Sequence, residues 1–305
     1  MGSRKSFHWL QLAGTVQGSV IPAIFGQVLF CGLFGVLISE LHNEKIPVSY
    51  KSLSVVIPSI VLGLLLVFRT NTAYERFWEG RKSWGAIGSS VRNFSRLIWV
   101  GVAEKGPQHR QEKIQIIKQA IAMALAIKLF LRAETGQEEE LARLLTPERF
   151  SVLQKMDNQP LEISNWLADD IQSLYEEGRI SVQQVVELHK CLDILVTEWS
   201  ACDRIRTTPM PLAYAVHLKQ LVLIYCLLLP FQLVSDLLWW TGPVVALISF
   251  TLFGIEEIGM EIENPFGRDY NDLPLDRLCA TIERNVNELI DTQPHYHRQT
   301  LNIES

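Results

Sequence analysis

The sequence predicts an all-α integral membrane protein, in which apolar spans are joined to a helical soluble part. Three observations carry this expectation. Apolar runs long enough to cross a bilayer lie towards both ends of the chain. The middle is charged and helix-forming, and strand signals are absent. Mean hydropathy is slightly positive although 20% of the 305 residues are charged, a mixture of spans and water-facing segments.

Residues 1–19 are a polar and aromatic lead with Phe7, Trp9 and Leu10, of interfacial character. Residues 20–106 carry the first two spans. Val20 to Ile38 is apolar apart from Gln27, and its Gly26, Gly32 and Gly35 suit close helix packing. No small-residue cleavage site follows this run, so it reads as a retained span. A short loop with Pro47 leads to the second span, which opens at Val55 with Pro58 in its first turn, where a missing N–H costs little. That run turns polar at Arg69 without a Gly or Pro to stop it, so one helix leaves the bilayer and continues into water. Ile60, Leu64 and Phe68 share one stripe, because four residues advance about 400°. Arg69, Arg76, Arg81, Lys82, Arg92 and Arg96 follow, which makes this end cytoplasmic and, counting spans, both termini too.

Residues 107–206 form a helical cytoplasmic domain. Ile114, Ile117, Ile121, Leu125 and Leu129 trace an amphipathic helix. Lys118 and Lys128 interrupt it, so it is not counted as a span, although its apolar middle makes it a rival fifth. Thr146-Pro147-Glu148 is a helix start with Pro in the first position. Gly178 ends a helix from Pro160, and Ser181 caps another running to Arg204. Residues 207–255 hold spans three and four, Leu212 to Val234 and Leu237 to Ile255, with Trp239 and Trp240 as an interfacial anchor. His217, Lys219 and Gln220 should face protein or water. Residues 256–291 are an acidic segment and a final amphipathic helix, and residues 292–305 a polar tail.

Net charge of −5 argues against a nucleic-acid partner. The five cysteines, at Cys31, Cys191, Cys202, Cys226 and Cys279, show no CxxC spacing and imply neither a disulfide framework nor a zinc site. His295 and His297 sit in the tail. No nucleotide loop, zincin motif or nucleophile elbow is present, so nothing supports an enzyme. The stripe through Ile60 has two readings. It is a hydrophobic pore constriction if several copies face an axis, or it is a packing or lipid-facing surface. Glu256 and Glu257 line an ion path or simply end a helix.

Three blocks narrow the choice: Arg69 to Gly85 (RTNTAYERFWEGRKSWG), Arg204 to Tyr214 (RIRTTPMPLAY) and Ile262 to Gly267 (IENPFG). Together they resemble the bestrophin family, most closely its bacterial and plant-type branch, and the resemblance covers roughly Phe7 to Ile290. It implies a homopentameric ion channel around a central pore, with four membrane helices per subunit and a helical cytoplasmic part. It places the pore neck at Ile60, Leu64 and Phe68, with Leu64 where animal members carry an aromatic, and a cytosolic aperture at Met210. Animal members hold calcium in a clasp whose positions match Glu261, Asn264, Asp269 and Asp272, hard oxygen donors suited to that ion. Here Arg268 replaces an acidic neighbour, and the competing reading is a helix cap by Asp272 and Asp276. No cofactor is required; calcium is the one candidate. The implied partners are further copies of the chain, the lipid bilayer and permeant inorganic ions, in a bacterial inner membrane or a plastid-type one. The ring edges of Phe68 and the nearby Arg69, Arg76 and Arg81 favour anions such as chloride. The alternatives are a cation (sodium) channel of the same fold and a membrane anchor for a helical interaction domain. A secondary transporter would need inverted repeats and broken helices, and neither is visible.

Overall fold

The computed structural model describes residues 14–50, 56–104, 106–134 and 138–292. The lead at 1–13, Val55, and the tail from 293 with His295 and His297 lie outside them. The described residues form helices and connecting turns, with no strand among them: α1 (Ile21–Asn43), α2 (Val56–Gly101), α3 (Pro107–Arg132), α4 (Glu138–Ala142), α5 (Pro147–Leu153), α6 (Gln159–Glu176), α7 (Val182–Thr207), α8 (Leu212–Leu237), a 3-10 turn (Leu238–Trp240), α9 (Thr241–Glu261) and α10 (Leu275–Asp291).

The chain divides into two compact units, and α2 passes from one to the other after Phe77. The first unit contains α1, the first part of α2, α8 and α9. Its core joins Ile24 and Cys31 of α1, Leu62 and Leu66 of α2, Val222 and Cys226 of α8, and Val245 and Phe253 of α9. α1 and α9 approach to backbone contact. A Cβ on Gly35 would lie 2.9 Å from Gly242 Cα, and one on Gly32 would lie 3.0 Å from Ala246 Cβ. Gly26, expected to pack in the same way, has nothing within 4 Å. Phe25, Phe30, Leu33 and Leu37 of α1 and Leu247 of α9 point outwards, as do Trp239 and Trp240. So large an apolar surface is stable against lipid and not against water. The protein is an integral membrane protein.

α2 is 46 residues long. Its polar stretch does not end it because the side chains bond their own helix. Thr70 donates to the carbonyls of Leu66 and Val67, both at 3.0 Å, and Thr72 to that of Phe68 at 3.0 Å. α9 likewise continues through the acidic residues to Glu261, six residues beyond the expected end of the fourth span at Ile255. By length and composition alone, α1, α3 and the stretch Leu212–Glu261 could cross a membrane.

The second unit contains the rest of α2, α3 to α7 and α10, and its centre is α3. This helix was expected to be amphipathic; instead its residues from Gln119 to Leu129 are all buried. A helix apolar all round is a core helix of a soluble unit as readily as a span. Its two buried lysines are accommodated at opposite ends. Lys113 donates to the carbonyls of Trp99 and Val102 and to Glu104, at 2.8, 3.1 and 2.7 Å. Lys128 pairs with Glu140 at 3.3 Å and Asp276 at 3.0 Å. The predicted helix starts are present. Thr146 accepts from the Arg149 N–H with Pro147 behind it, and Ser181 with Gln184 forms a reciprocal cap. Gly178 has φ of +66°, the left-handed conformation that lets α6 end there.

Candidate functional site

In the first unit, α2 has two faces of opposite fate. Leu62 and Leu66 are 4% and 2% exposed and pack into the core. Ile60, Leu64 and Phe68 lie roughly 180° around the helix from them, at 100° per residue. They are 66%, 54% and 56% exposed. Among the described residues of this unit nothing buries the stripe, in contrast to the Leu62 and Leu66 face. Asn71 and Glu75 prolong the same face and are exposed as well.

The position of α2 is set from α8 and α9. The Tyr214 hydroxyl of the RIRTTPMPLAY block donates to the Leu65 carbonyl at 3.0 Å, between the turns that bear Leu64 and Phe68. Arg69, one of the groups behind the anion expectation, does not project its charge towards the stripe. It turns into the unit and is 1% exposed. Its Nη2 faces Glu263 at 3.6 Å and Glu256 at 3.9 Å. Gly259 makes room for it, since a Cβ there would sit 3.3 Å from Arg69 Nε. Glu256 is therefore buried against Arg69, with Lys219 at 4.0 Å, and does not line an open path through the protomer.

Met210 is half-buried, and its N–H donates to Glu263 Oε1 at 2.8 Å. Glu263 lies in the IENPFG block, but sequence reasoning did not assign it this role. The one available signal was an arginine at the edge of an apolar run, which needs a carboxylate from elsewhere in the fold.

The four clasp positions lie at the end of α9 and in the loop that follows it. Glu261 accepts from the side-chain amide of Asn271 at 2.6 Å, and that amide also donates to the Gly18 carbonyl at 3.3 Å. Asp272 Oδ2 accepts from the Asp269 N–H at 2.7 Å, and Asn264 is exposed. An ion would have to displace Asn271 and the Asp269 N–H. Among the described residues the one group that brings three His, Cys, Asp or Glu donors within 4.8 Å is His109, Glu112 and Glu177. There the guanidinium of Arg179 already bonds Glu112 at 2.6 Å and Glu177 at 3.0 Å. Of the helix-cap alternative, Asp276 does lie in the first turn of α10, where a carboxylate suits the helix dipole. The residue before α10 is Pro274, with no side-chain cap, and Asp276 also pairs with Lys128 and Arg132. Because the carboxylates of Glu261 and Asp272 already accept hydrogen bonds, calcium binding should be weak. Calorimetric titration of the parent protein should give no saturable heat below millimolar calcium. A micromolar isotherm abolished by Asp272→Asn would establish the clasp.

A family model described as Bacterial/Fungal Bestrophin protein matches residues 1–288. A voltage-dependent anion channel-forming protein of Nostoc sp. is 52% identical, over 96% of this chain and 95% of its own length. One of the same description from Synechocystis sp. is 48% identical over 96% and 95%. Among solved structures, a bacterial bestrophin homologue from Klebsiella pneumoniae, solved by Zn-SAD phasing, superposes with a TM-score of 0.82 at 29% identity, covering 89% of this chain and 100% of that one.

Proposed function

The chain belongs to the bestrophin family, and on that premise we propose that it forms a pentameric ion channel whose pore neck is lined by Ile60, Leu64 and Phe68. The observation that carries this reading is the exposed apolar stripe on α2, opposite the face that packs into the protomer. One copy supplies one stripe, so a pore needs a ring, and five is the family's number. In this reading four helices cross the membrane, namely α1, the apolar part of α2, α8 and α9, and α3 stays inside the second unit. Both termini are then cytoplasmic, and Met210 forms a second, softer constriction on the cytosolic side.

Anions such as chloride are the proposed permeant ions, since the relatives from Nostoc and Synechocystis are described as anion channel-forming. A cation reading is favoured by one specific observation. With Arg69 turned inward, the charged side chain that follows Phe68 on the exposed face is the carboxylate of Glu75. Reversal potentials of the purified protein in liposomes under a sodium chloride gradient decide between them, alongside a mass measurement in detergent. A pentamer reversing near the chloride equilibrium potential is the expected result. Reversal near that of sodium would overturn the anion assignment alone. A stable monomer without flux would overturn the channel.

A further inference from the structure

Met210 lies between Pro209 and Pro211, and proline has no N–H. Across these three residues the backbone therefore has one hydrogen-bond donor, the Met210 N–H, and it is committed to the Glu263 carboxylate at 2.8 Å. The other carboxylate oxygen of Glu263 faces Arg69 at 3.6 Å, and its main-chain carbonyl accepts from Arg76 Nε at 3.2 Å. Arg69 and Arg76 are two turns apart on one face of α2, and Arg69 immediately follows the neck residue Phe68. Glu263 thus holds α2 at two points and the aperture segment at one.

The Arg69 end of this link is under unusual demand. Arg69 is buried, and its Nε and Nη1 have no hydrogen-bond partner among the described residues. Its charge is balanced by Glu263 and by Glu256 at 3.9 Å, both beyond hydrogen-bond length. Removing one carboxylate from so sparsely compensated a buried cation should be costly. Any rotation of α2 that moves Phe68 also moves Arg69, and with it the carboxylate that anchors Met210.

We propose that Glu263 is a positioning residue that couples the cytosolic aperture to the neck helix, so that the two constrictions open and narrow together. This rests on the pore reading above. The two functions of the carboxylate separate by substitution. Glu263→Gln keeps an acceptor for the Met210 N–H but removes the charge facing Arg69, whereas Glu263→Ala removes both.

Single-channel recording in bilayers tests this, with Met210→Ala as the reference for a disturbed aperture. Met210→Ala should change permeability ratios among ions of different size. Glu263→Ala should change them in the same direction and also shift the open-to-closed ratio. Glu263→Gln should restore the parent permeability ratios while still shifting the open-to-closed ratio by about fivefold or more, the lower end for coupled sites. A general structural defect would not give that split. Parent-like permeability ratios in Glu263→Ala, or parent-like gating in Glu263→Gln, overturn the coupling while leaving the channel reading intact. Should Glu263→Ala fail to assemble, the gating of Glu263→Gln decides alone. A parent protein that passes no current overturns both.

Discussion

Replacing Ile60, Leu64 and Phe68 together by alanine should raise the ionic current of the reconstituted protein by about tenfold, a change that needs only about 1.4 kcal/mol off the barrier. The three positions span nine residues of α2, so in a ring they enclose a tube about 12 Å long at roughly 1.5 Å per residue. A tube of that length lined only by hydrocarbon resists wetting and acts as a gate. Shortening every side chain widens it and lowers the cost of filling it with water. The protomer itself should tolerate the change, because these side chains are more than half exposed and leave no cavity behind. Leu66→Ala is the contrasting control. It truncates the opposite face, where Leu66 is 2% exposed, and should cost about 2–5 kcal/mol of stability. Currents and open probability in the triple variant equal to those of the parent would assign the stripe to lipid or to contacts between copies.

Gly35→Ala should destabilise the first unit by about 1–3 kcal/mol, as overpacking of a tight interface does. Its new Cβ would stand 2.9 Å from Gly242 Cα, a main-chain atom that moves only with its helix. Carbon atoms prefer about 3.5–4.0 Å, so α1 and α9 would have to separate. Gly242→Ala meets the same obstacle from the other side, with Val36 Cγ2 at 2.5 Å and the Gly32 carbonyl oxygen at 3.1 Å. The control is Gly26→Ala on the same helix, where nothing lies within 4 Å. There alanine should be neutral or gain up to about 1 kcal/mol through helix propensity. Thermal denaturation of the detergent-purified proteins compares the three. Equal midpoints for Gly35→Ala and Gly26→Ala would show that the two helices do not meet at these glycines.

Both cases show how much of this molecule can be read without coordinates. The helix starts at Thr146 and Ser181 and the stop at Gly178 were legible, because capping is decided within a few residues of the chain. So was the grouping of Ile60, Leu64 and Phe68 on one stripe, which follows from helical geometry alone. Gly32 and Gly35 were separable from Gly26 only once α9 was in place, because a small residue permits close approach without specifying a partner.

The sequence by itself determined the all-helical architecture, the apolar runs and the residues that share each helical face. The tertiary structure decided what those faces meet. It put α3 inside the second unit although its composition would allow it to cross a membrane, because Lys113 and Lys128 find carbonyls and carboxylates there. It also turned Arg69 away from the exposed stripe and towards Glu256 and Glu263, residues almost two hundred positions later in the chain. A period of 3.6 residues is a local property of one helix. The partner that balances a buried charge is supplied by whichever distant segment folds against it.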